Sequence, residues 1–173
     1  MLRWGLIPHW AKDTKIALRM INARAETLTE KPAYRGLLRS HRCLIPADGF
    51  YEWRVGAGGK ESVRFTLGDG ELFAFAGLWT SWRDPERNLE IVTCTIVTTT
   101  ANELVAPVHD RMPAMLPASL EAAWLSHDVD KQEAVSLLRP YPAELMIATS
   151  AARLVNSARH DGPELLVAEV VAA

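Results

Sequence analysis

Short apolar runs, many of them separated by glycine-containing turns, dominate the pattern of this 173-residue chain, and the run at 62–67 alternates apolar and polar residues. Alternation with a period of two is typical of a β-strand that has one buried face. The run at 89–98 is long and rich in β-branched residues, which favours a central strand. The strands predicted in this way cover residues 1–7, 42–47, 50–54, 62–67, 72–78, 89–98 and 145–149.

Helical spacing is rarer along the chain. Residues 31–40 place Tyr34, Leu37 and Leu38 on one face and predict a helix. Short helices are also predicted at 101–105, 120–125 and 131–138, whereas the polar residues 11–19 predict a loop. Gly-Ala-Gly-Gly at 56–59 predicts a flexible hairpin connection. Many strands with few inserted helices predict an α+β fold, with a largely antiparallel, barrel-like sheet and a few short helices.

The bulk composition is that of an ordinary soluble protein. A length of 173 residues predicts one domain, covering residues 1–173, and 49% hydrophobic with 23% charged residues is usual for a globular chain. No apolar run is long enough for a membrane helix, and the start lacks a signal-peptide pattern. These features predict a cytoplasmic protein with no membrane partner.

The net charge of −2 conceals an uneven distribution of charge along the chain. Residues 1–42 contain nine basic and three acidic residues, whereas the remainder contains ten basic and eighteen acidic residues. A basic segment beside an acidic body is one pattern of nucleic-acid binding proteins. A solvated, Lys/Arg-rich surface is the alternative explanation.

The two cysteines give no metal or disulfide pattern. Cys43 and Cys94 lie inside apolar strand-like runs, which predicts buried free thiols. The CxxC and HExxH zinc patterns are absent from the sequence. We therefore predict no metal site and no cofactor.

Glu52 and His109 are the first candidates for proton transfer. Glu52 lies between Tyr51 and Trp53 in an apolar strand, so the charged carboxylate is disfavoured and the pKa should rise. His109 precedes Asp110 in a loop, where a neighbouring charge can orient an imidazole. The alternatives are a carboxylate on the solvent face of an edge strand and a histidine that caps a turn.

Four further residues are candidates for ligand binding. Asn22 and Arg24 are two residues apart, so in an extended segment both face one side, where an amide and a guanidinium suit a hydroxyl and a phosphate. Trp10 could stack on a base, and the Thr98 hydroxyl could bind phosphate near a helix start. Loop stabilisation, core packing and a helix N-cap explain the same residues equally well.

Several blocks of sequence stand out when they are taken in order: WGLIPHW, NARAET, RCLIPADGFYEW, GLW followed by SW, IVTTTAN, HDRMP and VNSAR. Together these blocks resemble the SRAP family, the SOS response-associated peptidase proteins that process abasic sites in single-stranded DNA. The resemblance extends from Trp4 to about Leu166. It implies an SRAP fold over the whole chain and a role in the DNA damage response.

The resemblance implies roles for the candidate residues. Asn22 would position the abasic sugar or the N-terminal cysteine of the family, and Glu52 would assist proton transfer and ring opening. His109 would act as acid and base in Schiff-base formation and in reversal of the crosslink. Arg24 would hold phosphate, with Trp10 beside the DNA path. Arg3, in the basic opening segment, and Thr98 complete the predicted DNA-binding set. The implied partner is single-stranded DNA that contains abasic sites.

One part of the family pattern has no counterpart in this sequence. Family members begin with a cysteine, exposed by removal of the initiator methionine, whose amine and thiol form a thiazolidine crosslink with the abasic aldehyde. Here the sequence begins Met1-Leu2 without that segment. We therefore expect a domain that is N-terminally truncated relative to the family and does not form the crosslink. Exposed apolar surface, or a homodimer through it, is expected to follow.

Two other functions compete with abasic-site crosslinking. The first is a non-catalytic remnant that binds single-stranded DNA. The second is a peptidase or autoprotease that uses Glu52 and His109, although no serine or cysteine nucleophile accompanies them in the sequence. Whether the chain is an enzyme, with hydrolase or lyase activity, is therefore left open by the sequence.

Overall fold

The computed structural model describes residues 2–56, 59–68 and 70–166. Ten strands and two α-helices, with several 3₁₀ helices, confirm the predicted α+β class. The strands form two open sheets, so the predicted barrel-like closure is wrong. The strands are β1 (Arg3–Trp4), β2 (Asn22–Arg24), β3 (Arg42–Ala47), β4 (Phe50–Gly56), β5 (Gly59–Leu67), β6 (Phe73–Arg83), β7 (Glu90–Thr100), β8 (Arg111–Pro113), β9 (Met115–Leu116) and β10 (Met146–Ser150).

The chain divides into two compact units. Unit 1 contains residues 1–46, 73–100 and 113–141, and unit 2 contains residues 47–72, 101–112 and 142–173. The assignment of residues 1–173 to one domain stays a prediction. No helix in the described ranges is long and apolar enough to cross a membrane.

Unit 1 is built on a sheet in which β1 and β2 follow each other along one edge of β7. Both pair with β7 in parallel, while β6 pairs antiparallel with β7 on its other side and with β9. The core contains Leu78, Val97 and Trp124, all of them fully buried. Two α-helices belong to this unit, α1 (Ala118–Leu125) and α2 (Lys131–Ser136), close to their predicted positions.

Unit 2 contains a three-stranded antiparallel sheet in the order β10-β5-β4. Phe50 and Phe65 stack face to face across β4 and β5, with ring centroids 5.1 Å apart. The hairpin predicted at 56–59 is present, because Gly56 pairs with Gly59, although residues 57–58 lie outside the described ranges. The predicted turn at 68–70 also includes an undescribed residue, Asp69.

Four predicted elements differ from the structure for local reasons. The strand predicted at 1–7 ends at Trp4, because Gly5 has φ +106°, a conformation that breaks the extended chain. The loop predicted at 11–19 contains a 3₁₀ helix, Thr14–Arg19, capped by the Asp13 carboxylate, which accepts the Lys15 N–H.

The helices predicted at 31–40 and 101–105 are not regular helices. The first is a series of turns that ends in a 3₁₀ helix, Leu37–Arg39, although Tyr34 and Leu38 are buried as the spacing predicted. In the second, the Asn102 side chain accepts the N–H groups of Leu104 and Val105, and the chain makes turns without a helix.

Candidate functional site

Glu52 lies on the packed face of the unit 2 sheet. It is paired with Val63 on β5, and that face also carries the buried residues Phe50 and Phe65. Burial raises the pKa of the Glu52 carboxyl above its ordinary value, as predicted, although this burial comes from the packed face and not from the flanking Tyr51 and Trp53, which point to the other side. A carboxyl with a raised pKa holds its proton closer to neutral pH, which suits acid and base chemistry.

His109 lies close enough to act on Glu52 electrostatically. The positive charge of His109 lowers the pKa of Glu52, and the negative charge of Asp110 raises it, although burial has the largest effect. The structure therefore brings together the two residues for which the sequence predicted proton transfer. Both belong to unit 2.

The His109 ring is held through one nitrogen. Nδ1 accepts the backbone N–H of Arg111 at 3.0 Å, and the Arg111 carbonyl oxygen is 3.1 Å away. The Asp110 carboxylate lies 3.4 Å from the same nitrogen. Nδ1 thus has a partner whether or not it carries a proton, so both tautomers and the imidazolium are accommodated. Among the described residues, only Nδ1 of this ring makes a hydrogen bond.

Asn22 and Arg24 share one face of the unit 1 sheet, as their spacing predicted. They pair with Ile96 and Thr98 on β7, so their exposed side chains point to the same side as Thr98. The residue between them, Ala23, points into the core and is buried. No acidic group lies within 4.0 Å of the Arg24 guanidinium in the described ranges. Arg24 therefore has a free positive charge on this face.

The remaining predicted DNA-binding residues have different environments. Trp10 is 53% exposed, beside a small cleft that includes Pro32 and Gly36. Thr98 is largely buried. Arg3 pairs with Thr93, an odd number of residues from Ile96 and Thr98 on β7, so it points to the opposite side of the sheet from Arg24.

Trp4 is a candidate that sequence reasoning did not single out. Its partner on β7 is Cys94, which places the indole on the same side as Asn22 and Arg24. The Trp4 Nε1–H donates to the Ile21 carbonyl at 2.8 Å, and the side chain is still 55% exposed. Only the parallel pairing of two distant segments with β7 reveals this position, and no local pattern encodes it.

Neither internal cysteine is a nucleophile in this environment. Burial and the neighbouring Cys94 raise the pKa of the Cys43 thiol to about 12, and burial raises the pKa of Cys94. Both are free thiols, as predicted. Because the thiolate is the reactive form, both remain protonated and inert near neutral pH.

Comparison with known proteins gives one consistent family. The sequence model of the family described as SOS response associated peptidase (SRAP) matches residues 1–158. The abasic site processing protein YoqW of Bacillus subtilis is 52% identical over 167 residues, which cover 95% of this chain and 74% of that protein. The chicken (Gallus gallus) abasic site processing protein HMCES is 35% identical over 191 residues, covering 96% of this chain and 56% of the relative.

Solved structures agree with this assignment. A protein from Bacteroides thetaiotaomicron has a TM-score of 0.88 and 33% identity, with 95% of this chain and 74% of that chain covered. A protein from Bordetella bronchiseptica has a TM-score of 0.77 and 30% identity, with 87% of this chain and 76% of that chain covered. The fold described above is therefore shared with these proteins.

Proposed function

The chain belongs to the SRAP family, and from this membership we propose that it processes abasic sites in single-stranded DNA. The observation that carries the proposal is the pairing of Glu52 with His109. A half-buried carboxyl with a raised pKa lies within electrostatic reach of an imidazole that is anchored through Nδ1. Two such groups can move protons in both directions on one substrate.

The proposed chemistry is opening of the abasic sugar. An abasic deoxyribose is mostly a closed hemiacetal, which becomes reactive only as the open-chain aldehyde. In our proposal the Glu52 carboxylate takes the proton of the C1′ hydroxyl, the C1′–O4′ bond breaks, and His109 Nε2–H gives a proton to O4′. The sugar neither gains nor loses atoms, and no redox change occurs. Later proton return from Glu52 to His109 regenerates both groups.

DNA binding is assigned to unit 1. Arg24 suits a phosphate because its guanidinium is exposed and no acidic group of the described residues lies within 4.0 Å of it. Asn22 on the same face suits a sugar hydroxyl. The exposed indole of Trp10 offers a face for base stacking. Trp4, beside Asn22, is proposed as a further aromatic contact. Such binding should weaken as salt concentration rises, because phosphate contacts release counterions.

Trapping of the open-chain aldehyde tests the proposal directly. An alkoxyamine reacts with the aldehyde and not with the closed hemiacetal, so its rate of addition to a single-stranded oligonucleotide with one abasic site reports ring opening. The protein should accelerate this rate, and Glu52→Gln should lose roughly 10²- to 10⁴-fold of the acceleration, the range typical of general acid–base catalysis. DNA affinity should be unchanged. Equal acceleration by the wild type and the Glu52→Gln variant would contradict the proposal.

Two controls separate ring opening from other effects. An oligonucleotide with a tetrahydrofuran site lacks the C1′ hydroxyl, so it should bind the protein without reacting. Borohydride, added in place of the alkoxyamine, would reduce and trap any Schiff base between the DNA and an amine of the protein. A trapped adduct would show that the aldehyde is also captured covalently.

A further inference from the structure

The strand that carries Glu52 is held from the side opposite to the carboxyl. Successive residues of a strand point to opposite faces, so Glu52 faces the packed side of the sheet while Tyr51 and Trp53 face the other. β4 also lies at one edge of its sheet. An edge strand has a hydrogen-bonded neighbour on one side only, and its twist is less restrained than that of a central strand.

The C-terminal part of unit 2 contacts both of these outward-facing residues. The Trp53 Nε1–H donates to the Asn156 Oδ1 at 2.7 Å, and the Tyr51 hydroxyl donates to the Leu165 carbonyl at 3.1 Å. Lys60, on the neighbouring strand β5, places its Nζ over the Trp53 ring, 4.9 Å from the ring centre. Trp53 is therefore fixed in orientation by an acceptor and a cation.

The segment that supplies Asn156 is itself attached to the sheet. The backbone N–H of Ala151 donates to the Ser62 carbonyl at 3.0 Å, and the Ser62 hydroxyl donates to the Ala151 carbonyl at 3.2 Å. Asn156 then ends a short 3₁₀ helix, Arg153–Asn156. Ser62 is the residue paired with Trp53 across β4 and β5. The segment is thus anchored on the strand next to Trp53.

Trp53 is also the next residue along the strand from Glu52, and its backbone N–H lowers the pKa of the Glu52 carboxyl. A rotation of Trp53 about the strand axis would move this N–H and would turn the Glu52 side chain with it. The indole contact to Asn156 opposes such a rotation.

We propose that Asn156 is a positioning residue that, through its hydrogen bond to the Trp53 indole, holds the Glu52 carboxyl towards His109. The inference rests on the ring-opening function proposed above. Asn156 does not touch the substrate in this account and acts only through Trp53. Asparagine suits the position because its amide oxygen accepts a hydrogen bond without adding a charge.

The first test is the aldehyde-trapping rate of Asn156→Ala at saturating abasic DNA. We expect a loss of roughly 10- to 100-fold, the scale of a misplaced catalytic group. DNA affinity should stay within about twofold, since Asn156 is not assigned to binding. Asn156→Asp keeps an oxygen acceptor for the indole and should restore most of the rate. Glu164→Gln, an exposed neutral substitution in the same segment, is the matched control and should behave as the wild type.

A double-mutant cycle tests whether the effect passes through the indole. Trp53→Phe keeps an aromatic ring and removes the N–H donor, so it should slow trapping as Asn156→Ala does. The double variant should be no slower than either single variant, because both remove one interaction. Additive losses would overturn the proposal and show that Asn156 acts elsewhere.

The titration of Glu52 gives a readout that does not require abasic DNA. Carbon-13 NMR of the side-chain carboxyl should show a higher pKa of Glu52 in Asn156→Ala than in the wild type, because a displaced carboxyl loses the effects of His109 and of the Trp53 N–H, which both lower this pKa. In Asn156→Asp the pKa should stay near the wild-type value. An unchanged titration together with an unchanged trapping rate would overturn the positioning role. If Glu52→Gln leaves trapping intact, the ring-opening function fails by itself, and the NMR titration still decides whether Asn156 positions Glu52.

Discussion

Arg42 offers the sharpest prediction about the stability of unit 1. Its guanidinium is buried, with the residue only 6% exposed, and it lies over the Trp124 ring, 5.7 Å from the ring centre. No carboxylate lies within 4.0 Å of it in the described part of the chain. Its partners are instead backbone carbonyls at the end of α1 and at the 3₁₀ helix before β3: Trp124, Ser126, Val129 and Leu38.

The arrangement supplies caps that the local sequence lacks. The last carbonyls of a helix have no partner within the helix, and α1 has no basic residue in its last turn. In the opposite direction, the Trp124 Nε1–H donates to the Cys43 carbonyl at 2.9 Å. Hydrogen bonds from Arg42 and from Trp124 therefore both join β3 to α1. Replacing Arg42 by methionine would keep the apolar stem and remove every one of these donors.

The cost of Arg42→Met follows from the burial of those carbonyls. The hydrogen bonds to Trp124 and Leu38 are buried, and leaving each acceptor unsatisfied costs roughly 1–3 kcal/mol. The carbonyls of Ser126 and Val129 are only partly buried, and water can replace the donor. Release of a buried charge offsets part of the loss. We expect a net destabilisation of about 3 kcal/mol, a large share of the roughly 5–15 kcal/mol that stabilises a typical domain.

Urea unfolding followed by circular dichroism measures this difference. Arg42→Met should lower the midpoint without changing the denaturant dependence, and Arg42→Lys should lose about half as much, because one ammonium cannot reach all the carbonyls. Arg139→Met is the matched control. Arg139 is exposed, and within the described residues its side chain donates only to the Ser136 carbonyl at 3.1 Å, so its loss should cost under about 0.5 kcal/mol. A destabilisation by Arg42→Met of less than about 1 kcal/mol would refute the capping argument.

Three further predictions concern the candidate site. Burial raises the pKa of Glu52 in the folded protein, so ionisation of Glu52 costs stability once the pH exceeds the glutamate pKa of about 4.3 in an unfolded chain. The Glu52→Gln variant should therefore be more stable than the wild type near pH 7. Urea titrations should show this advantage fading below pH 4. Trp10→Ala should weaken binding of a labelled single strand, measured by fluorescence anisotropy, by roughly 5- to 150-fold for one lost base stack, whereas Leu72→Ala, an exposed residue of unit 2, should not. Iodoacetamide at pH 8 should leave Cys43 and Cys94 unmodified in the folded protein and label both in urea, as mass spectrometry would show; rapid labelling of the folded protein would contradict the raised thiol pKa values.

The strands were predicted well where the local signal agrees with the packing. The turn signal Asp48-Gly49 located β3 and β4, alternation located β5, and β-branched enrichment located β7. The helix predicted at 31–40 failed because Pro32 and Gly36 lie within it, and neither favours a continuous α-helix. At 101–105 the Asn102 side chain accepts the N–H groups of Leu104 and Val105 as an N-cap does, but Pro107, which has no backbone N–H, follows at once and limits the segment to turns.

The site shows the same division between local and long-range information. The raised pKa of Glu52 was predicted from its flanking aromatic residues, but the burial that causes it comes from the strand face that Glu52 shares with Phe50 and Phe65. A spacing of two was sufficient to place Asn22 and Arg24 on one side. The opposite orientation of Arg3 depends on its register with β7, more than eighty residues away in the chain. The contact between Trp53 and Asn156 joins segments about a hundred residues apart, and no periodicity within either segment encodes it.

The central claim, that Glu52 opens the abasic sugar with the help of His109, is tested most directly by the pH dependence of aldehyde trapping. The trapping rate of the wild type should rise over the pH range in which Glu52 ionises, and we call this rise the Glu52 limb of the pH profile. The Glu52→Gln variant should lack this limb. His109→Gln removes the positive charge that lowers the pKa of Glu52, so in that variant the residual limb should move to higher pH. Asp110→Asn removes a charge that raises this pKa, so its limb should move to lower pH. A trapping rate with the same pH dependence in all four proteins would contradict the claim.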